Sequence, residues 1–585
     1  LILQALNEHY YRLLDDKESK IAPPGYSIAD ISFVIVLSQA GEFLDLFSVE
    51  KEEFVPEHKK RSGVNPAPYF LCDKILYSLG VGKDKSEGKK RFEQYRDYNL
   101  KLLQQIECVE AKAVSSFLKA WNPDSWDSNA IIMRYQEEFN KPKNFNTVYK
   151  IDGQLGYVHQ NSEIASAWMN ELAKKEDEEL VTGQCLVTGK IENIARTHNV
   201  AIKGAGGQPA GTALVSFQIE SFRSYGKTQS YNAPVSKKVA FAYGTALNYL
   251  IASDTNRVRL ADTTMVFWAD KKGGKAEETV LAWCLDPVVA ETGEESEKRR
   301  IDPGAARHAK AVLERVKSGL PVGDTEFNPD TRCYLLGLAP NAARLSVRFW
   351  QVSSFGDLLE KIAHHYNDMD IAGIERHGGT VSPWRTLKAI AVQEDAKNIP
   401  PLLGGQLLKT ILSGQMYPQP IYNAVIMRCR TGGEHGGVNT IRAAVIKAFL
   451  ARKYRIQKQT EKEAMITVSL NEKNTNNAYL LGRLFSLLEK AQKDALGGNI
   501  NSTIRERYFG AASATPGAVF PLLLRLSRHH ISKSEYGNLS ERKIQEVMNG
   551  LDAFPAHLNI EEQGLFILGY YHQNQANYVK NENNE

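Results

Sequence analysis

The sequence predicts an α+β protein, with an irregular mixed α/β N-terminal domain followed by an all-α C-terminal helical bundle. Three observations predict it. Short apolar runs of β type, bounded by Gly, Pro and Asn, alternate with helical pieces as far as about residue 345. Beyond residue 355 the apolar residues recur almost wholly at 3.6-type spacing. And 585 residues exceed what one hydrophobic core organises, so the chain divides in expectation into residues 1–345, 346–460 and 461–585.

In order, residues 1–14 mix apolar positions with Asn7, Glu8, His9 and Arg12, which reads as an amphipathic helix and not as a signal peptide. A Pro23-Pro24-Gly25 turn leads to strands at 31–37 and 42–49, split by Gln39-Ala40-Gly41 as in a hairpin. A basic turn follows with Lys59, Lys60 and Arg61, then a Pro-punctuated loop opening at Asn65. Residues 70–79 read as helix, 82–91 as a second basic loop carrying Lys83, Lys85, Lys89, Lys90 and Arg91, and 91–119 as one long helix. Between about 149 and 243 the texture turns to Gly, Ser, Thr and Asn with short β pieces. A helix at 238–251 and a strand at 264–269 come next, then charged stretches at 270–279 and 291–300 expected to be solvated loops. A strand at 332–338 precedes the run 341–350. The second half offers helices at 402–412, 421–427, 441–453, 479–497 and 521–530, most separated by Gly or Pro. A polar linker, 457–475, sets the last bundle apart.

Hydrophobic residues make up 43% and charged residues 24%, as in ordinary globular proteins, and no apolar run is long enough to span a bilayer. A cytoplasmic protein is expected. Six cysteines without a CxxC pair argue against a zinc knuckle or a disulfide framework and for free buried thiols. With 72 basic against 68 acidic residues the net charge is only +4, which excludes a uniformly basic nucleic-acid coat and leaves local basic patches to be found.

The richest such place is Lys203-Gly204-Ala205-Gly206-Gly207-Gln208-Pro209-Ala210-Gly211. Glycines let a backbone approach a phosphate or base edge closely, and successive amides make an anion nest. Lys203 is then placed for phosphate and Gln208 for a base edge or a wedge into a duplex; a plain surface loop is the alternative. Arg223-Ser224-Tyr225-Gly226-Lys227 adds two cations and an aromatic face. Residues 183–190 imitate a phosphate-binding loop, but five residues instead of four separate the glycines and Ile191 stands where Ser or Thr should bind magnesium. Gly204-Ala205-Gly206 starts a dinucleotide fingerprint that Pro209 ends. The basic turns at 59–61 and 83–91 suit phosphate neutralisation, and Arg442, Arg452 and Lys453 on the 441–453 helix are further backbone-contact candidates. Catalytic patterns are weak. His364, His365, Asp368 and Asp370 lack zinc-protease spacing, His529-His530 ends a helix, and Glu434-His435 has no obvious partner.

Several stretches, in this order, resemble the large subunit of the type I-C CRISPR surveillance complex (Cascade, Dvulg subtype). They include Pro23-Pro24-Gly25-Tyr26, Tyr69-Phe70-Leu71-Cys72-Asp73-Lys74, Cys185-Leu186-Val187-Thr188-Gly189, Ile202-Lys203-Gly204, Ser224-Tyr225-Gly226-Lys227, Asn232-Ala233-Pro234-Val235, Val266-Phe267-Trp268-Ala269 and Leu481-Gly482-Arg483-Leu484-Phe485. The resemblance runs from the first residues to about Arg528, with Leu1 where an initiator Met is expected, which suggests an unusual start codon or an edited terminus. It implies a protein that is no enzyme and needs no cofactor. Such a subunit recognises the protospacer-adjacent motif in double-stranded target DNA and assists duplex opening and R-loop formation while a crRNA reads the sequence. The partners it implies are the crRNA-bound backbone subunits, the subunit that processes the crRNA 5′ end, small subunits and a recruited helicase–nuclease. Motif reading transfers to Lys203, Gly204, Gly206, Gly207 and Gln208, and with less support to Asn65 and Lys227. The family's small subunit arises by internal initiation, for which Met465 is the candidate start here. A metal-dependent nuclease of the same defence pathway, acting through His364, His365, Asp368 and Asp370, is the rival.

Overall fold

The computed structural model describes residues 1–16, 18–58, 66–139, 145–177, 181–271, 274–287, 303–320, 327–377, 379–432, 436–497 and 502–578. They form an N-terminal mixed α/β region and a helix-rich C-terminal half. Two compact units emerge: Leu1–Tyr249 with Ala342–Arg344, and Leu250–Asn341 with Leu345–Glu585. Among the described residues no helix is long and apolar enough to cross a membrane.

The first unit is built on strands β1 (Tyr26–Leu37), β2 (Phe43–Pro56), β3 (Asp73–Lys74) and β4 (Asn146–Ile151), ordered β2-β1-β4-β3. β1 and β2 are the expected antiparallel hairpin, and β4 runs parallel to β1. A register shift between Ile31 and Phe33 exchanges the faces of β1. As a result Ile31 and Val34 share a small cluster with Val55, Cys72 and Val148. Phe33, Ile35 and Leu37 enter the main core with Phe92, Tyr95, Phe117 and Trp168 from the covering helices.

Two expectations fail here. Residues 70–79 do not form a helix. Leu71 adopts a positive φ of 52°, and the buried Asp73 carboxylate accepts the amides of Tyr69 (2.8 Å) and Lys74 (2.7 Å), so the segment pairs as β3 and only Ile75–Ser78 makes a turn of helix. The basic stretch 83–91 is mostly not a loop. Asp84 caps a helix, Lys85–Leu103, by accepting from Ser86 N and Glu87 N. That helix stops at Gln104, and a second, Val109–Ala120, replaces the single long one.

Residues 181–236 add a small hairpin, β5 (Thr182–Gln184) with β6 (Ile191–Asn193), and the helix Lys237–Ala252 follows.

In the second unit β7 (Arg257–Leu260), β8 (Thr263–Ala269), β9 (Arg332–Asn341) and β10 (Arg344–Ser354) are ordered β10-β9-β8-β7. β8 is buried along its whole length. Trp268, Tyr334 and Trp350 stack across three strands, with centroids 5.3 Å and 5.6 Å apart for the two successive pairs. The stretch expected as a charged loop at 270–279 starts the helix Lys275–Leu285, and its acids are buried. Burial raises the Glu278 carboxyl, and its Oε1 accepts the Ala269 amide at 2.9 Å, where the strand needs an acceptor. Residues 291–300 lie outside the described residues.

Helices Leu403–Ser413, Gln419–Arg430, Thr440–Ile456, Asn477–Leu496, Pro516–Ile531 and Ile560–Ala576 contribute to one continuous core with that sheet. Asn477–Leu496 and Ile560–Ala576 cross closely because glycines meet backbone. A Cβ on Gly482 would lie 2.0 Å from the Phe566 carbonyl oxygen, and one on Gly569 2.1 Å from that of Tyr479.

Candidate nucleic-acid interface

The glycine loop is closed by a two-way bridge: Ile202 N donates to Thr212 O (2.9 Å) and Thr212 N to Ile202 O (2.8 Å). Asn248, on the Lys237–Ala252 helix, clamps its base. Its Oδ1 accepts Lys203 N at 2.9 Å and its Nδ2 donates to Ala201 O at 3.0 Å. Inside the loop Gly204 and Gly206 have φ of 78° and 76°, a backbone that L side chains rarely adopt. A Cβ on Gly207 would stand 2.2 Å from Thr212 Cγ2. Ala205 is buried, while Lys203, Gly204, Gly206, Gly207 and Gln208 face solvent. Past the loop, Ala213 N donates to Ala343 O (3.1 Å), and the Arg344 guanidinium lies 4.9 Å from the Phe222 ring centroid.

A second exposed turn is organised by Asn232. Its Oδ1 accepts Ser224 N (2.9 Å) and its Nδ2 donates to Gln229 O (2.8 Å) and, at 3.3 Å, to Lys227 O. Tyr225 (φ 50°) and Gly226 (φ 70°) turn the chain outward, so the Tyr225 ring is 98% exposed beside Arg223 and Lys227 in sequence. Ser230 N donates to Arg196 O (3.1 Å), and Arg196 Nε to Gln229 Oε1 (2.8 Å). Both turns therefore hang on one stretch of chain, residues 194–202. Among the described residues the side chains of Lys203, Gln208 and Lys227 themselves make no hydrogen bond or ion pair, since Asn248 and Asn232 hold only the Lys203 and Lys227 backbone.

The same stretch is fixed from behind. Ala195 N donates to Val235 O, and Leu186 N to Pro234 O, both at 2.9 Å. Burial raises the Cys185 thiol, but amide donors at Thr188, Ser236 and Val187 outweigh it and leave the group below its ordinary value. Residues 183–190 are thus a hairpin turn and not a strand-to-helix phosphate loop. Burial pushes His198 down to about 4, and its Nδ1 lies 2.6 Å from the Tyr243 hydroxyl.

The N-terminal basic residues divide. Lys85 pairs with Asp127 at 2.5 Å and Lys89 with Asp124 at 2.6 Å, and Arg91 is buried beside Glu87 (3.5 Å). Lys83 and Lys90 remain exposed. Lys59, Lys60, Arg61 and Asn65 lie outside the described residues, as do Glu434 and His435.

A family model described as CRISPR-associated protein (Cas_Csd1) matches residues 6–578. The chain belongs to this CRISPR-associated Csd1 family. No curated protein matches it.

In this Csd1 chain the basic helix Thr440–Ile456 is a structural element. Arg442, expected at a phosphate, is buried and donates to Ala389 O (3.0 Å), Gly437 O (2.8 Å) and Glu394 (2.9 Å). Arg452 is buried too, donating from Nε to Asp368 Oδ2 at 3.0 Å, while Lys453 pairs with Glu561. Arg455 holds the other Asp368 oxygen at 2.7 Å. The suspected metal cluster disperses for the same reason. Asp368 is 2% exposed and doubly paired, and His365 shares a 2.6 Å hydrogen bond with the Tyr417 hydroxyl. His364 faces solvent near Glu360. Among the described residues no group of three or more His, Cys, Asp or Glu is placed to hold a metal ion.

Residue-by-residue reading assigned no role to the parts that shape the candidate loop and turn: Asn248, Asn232, Arg196 and Arg344. Each acts through the fold. Asn248 is an ordinary polar position on a helix, 45 residues from the amide it holds, and only the folded chain brings the two together.

Proposed function

We propose that the chain is the large, DNA-binding subunit of a type I-C crRNA-guided surveillance complex, and not an enzyme. In this reading it recognises a short motif flanking the target in double-stranded DNA, assists strand separation and R-loop formation, and helps to recruit a helicase–nuclease. Its other partners are the crRNA-bound backbone subunits, the subunit that processes the crRNA 5′ end, and small subunits. The observation that carries the reading is the solvent-facing glycine loop, rigidly closed at Ile202–Thr212 and offering an uncommitted lysine and glutamine, in a chain of a CRISPR-associated family. A base edge is read by a side chain with paired donor and acceptor, and Gln208 has that chemistry; a phosphate is met by a cation, as Lys203 is.

The test is binding of the assembled, guide-loaded complex to duplexes with and without the flanking motif. Gln208→Ala is expected to lower the preference for the correct motif by about 1–3 kcal/mol. Lys203→Ala should weaken both duplexes and reduce the slope of log affinity against log salt by about one unit. Unchanged discrimination in both variants would remove the loop from motif reading and turn attention to Lys83, Lys90 and the 59–65 segment.

A second product starting at Met465 belongs to the same reading. Met465 closes the short helix Thr460–Ala464, ahead of the last long helices. Changing its codon to Leu should abolish the short product and leave the full chain; persistence of the short product would place its start elsewhere.

A further inference from the structure

The first unit contains a cavity of about 730 Å3, within the range of small-ligand sites, that the loop reading above does not use. Its wall joins three cations, Arg196, Lys237 and Lys238, to the aromatic rings of Tyr11 and Phe241. Gln229, which accepts from Arg196, lines it as well, so the cavity adjoins the turn that presents Tyr225 and Lys227. Among the described lining residues Glu57 is the only acid.

Two features argue that these groups await an anion attached to a flat ring. Lys237 and Lys238 are the first two residues of the helix Lys237–Ala252, whose first turn contains no acidic residue. The helix dipole is positive there, so two adjacent lysines repel it as well as each other unless an anion is bound. Among the described residues neither lysine has an ion-pair partner. The aromatic side, by contrast, is pre-organised. Tyr10 is buried, donates its hydroxyl to Ala22 O at 2.9 Å, and holds the Tyr11 and Phe241 rings edge-on at 5.3 Å and 5.9 Å. Tyr11 itself is 45% exposed, leaving ring surface to be covered.

We propose that this cavity seats one unstacked nucleotide of a single nucleic-acid strand, its phosphate on Arg196, Lys237 and Lys238 and its base against Tyr11. The inference rests on the nucleic-acid reading above but not on Lys203 or Gln208. Stacking on an aromatic ring tolerates any base, so the pocket holds a strand irrespective of sequence and complements a loop that reads sequence. The shared chemistry is a nucleoside phosphate, and the strand can be DNA or RNA.

The experiment measures fluorescence anisotropy of the full chain with short labelled oligothymidylate and oligouridylate, for wild type, Tyr11→Ala, Tyr11→Phe and the Lys237→Ala/Lys238→Ala pair. Circular dichroism melts check that each variant is folded. Tyr11→Ala is expected to weaken strand binding roughly tenfold with an unchanged salt slope, and Tyr11→Phe to retain affinity. The lysine pair should lose roughly tenfold and flatten the salt slope. The oligomer that shows these losses identifies the strand as DNA or RNA. Wild type that binds neither oligomer, or folded variants that bind as wild type, would overturn the proposal, as would an equal loss in Tyr11→Phe and Tyr11→Ala. If the pocket variants lose strand binding while Lys203→Ala and Gln208→Ala keep motif discrimination, the loop assignment falls and the pocket stands. The reverse pattern removes the pocket and keeps the loop.

Discussion

At the scale of single residues, charge in this chain is a poor guide to function until its partners are known. Lys85 and Lys89 sit in a run that looks free for phosphate, yet Asp127 and Asp124 meet them from beyond the next helix. Asp368 shows the opposite case: beside two histidines it resembles a metal ligand, and in the fold it neutralises Arg452 and Arg455. Removing it leaves a buried guanidinium uncompensated, so Asp368→Ala should cost about 3–5 kcal/mol in urea unfolding. A loss near zero would mean that Arg452 finds water in the folded state. The glycine loop was legible because Gly, Lys and Gln declare their chemistry locally. Its tightest point was not, since the Gly207–Thr212 contact joins residues on opposite arms of the loop. Gly207→Ala should therefore destabilise the loop by about 1–3 kcal/mol, and Thr212→Ser, which removes the opposing methyl, should restore most of it. Failure of that rescue in a double-mutant cycle would place the strain elsewhere.

At the scale of elements, periodic segments were the most legible. The β1–β2 hairpin, the Lys237–Ala252 helix, β8 and the late helices all lie where apolar spacing placed them, because their burial is regular. Misreadings cluster where one side-chain carboxylate overrides periodicity. Asp73 draws residues 70–79 out of helix, Asp84 starts a helix inside a basic run, and the buried Glu278 turns a charged stretch into core. Asp84→Ala should cost about 1 kcal/mol through the lost cap. Asn248→Ala tests a longer link. It deletes both bonds from the helix to the loop base, and should raise amide exchange across 203–211 while leaving the helix protected. Unaltered exchange would show that the Ile202–Thr212 bridge suffices to close the loop.

At the scale of the whole molecule, buried neutral histidines couple stability to pH. Burial lowers His9 and His572 to about 3, and His159 and His198 to about 4. In the unfolded chain each regains its ordinary value near 6.5. The unfolded state therefore binds more protons between about pH 6.5 and 4, and stability that is complete above pH 6.5 is lost as the pH falls through that window. The limit is about 2 kcal/mol per histidine at pH 5. Denaturation midpoints should drop between pH 7 and 5, and His572→Gln should reduce that drop; a flat profile would mean that these imidazoles are protonated in the folded protein. If the proposed DNA-binding function holds, the salt dependence of that affinity belongs to the same scale, since it counts phosphate contacts irrespective of which loop makes them.

By itself the sequence determined the class of fold, most regular elements and the family resemblance, because hydrophobic period and short motifs are local properties of the chain. Only the tertiary structure decided which charges are available. It buries Arg442 and Arg452, pairs Lys85 and Lys89, and leaves Lys203, Lys227, Lys237 and Lys238 without ion-pair partners among the described residues. It also gathered Tyr11, Arg196 and Lys237 around one cavity from three separate stretches of chain. The physical reason is that charge is cheap in water and costly in a core. A basic residue therefore shows what it is for only when burial and its partners are both known.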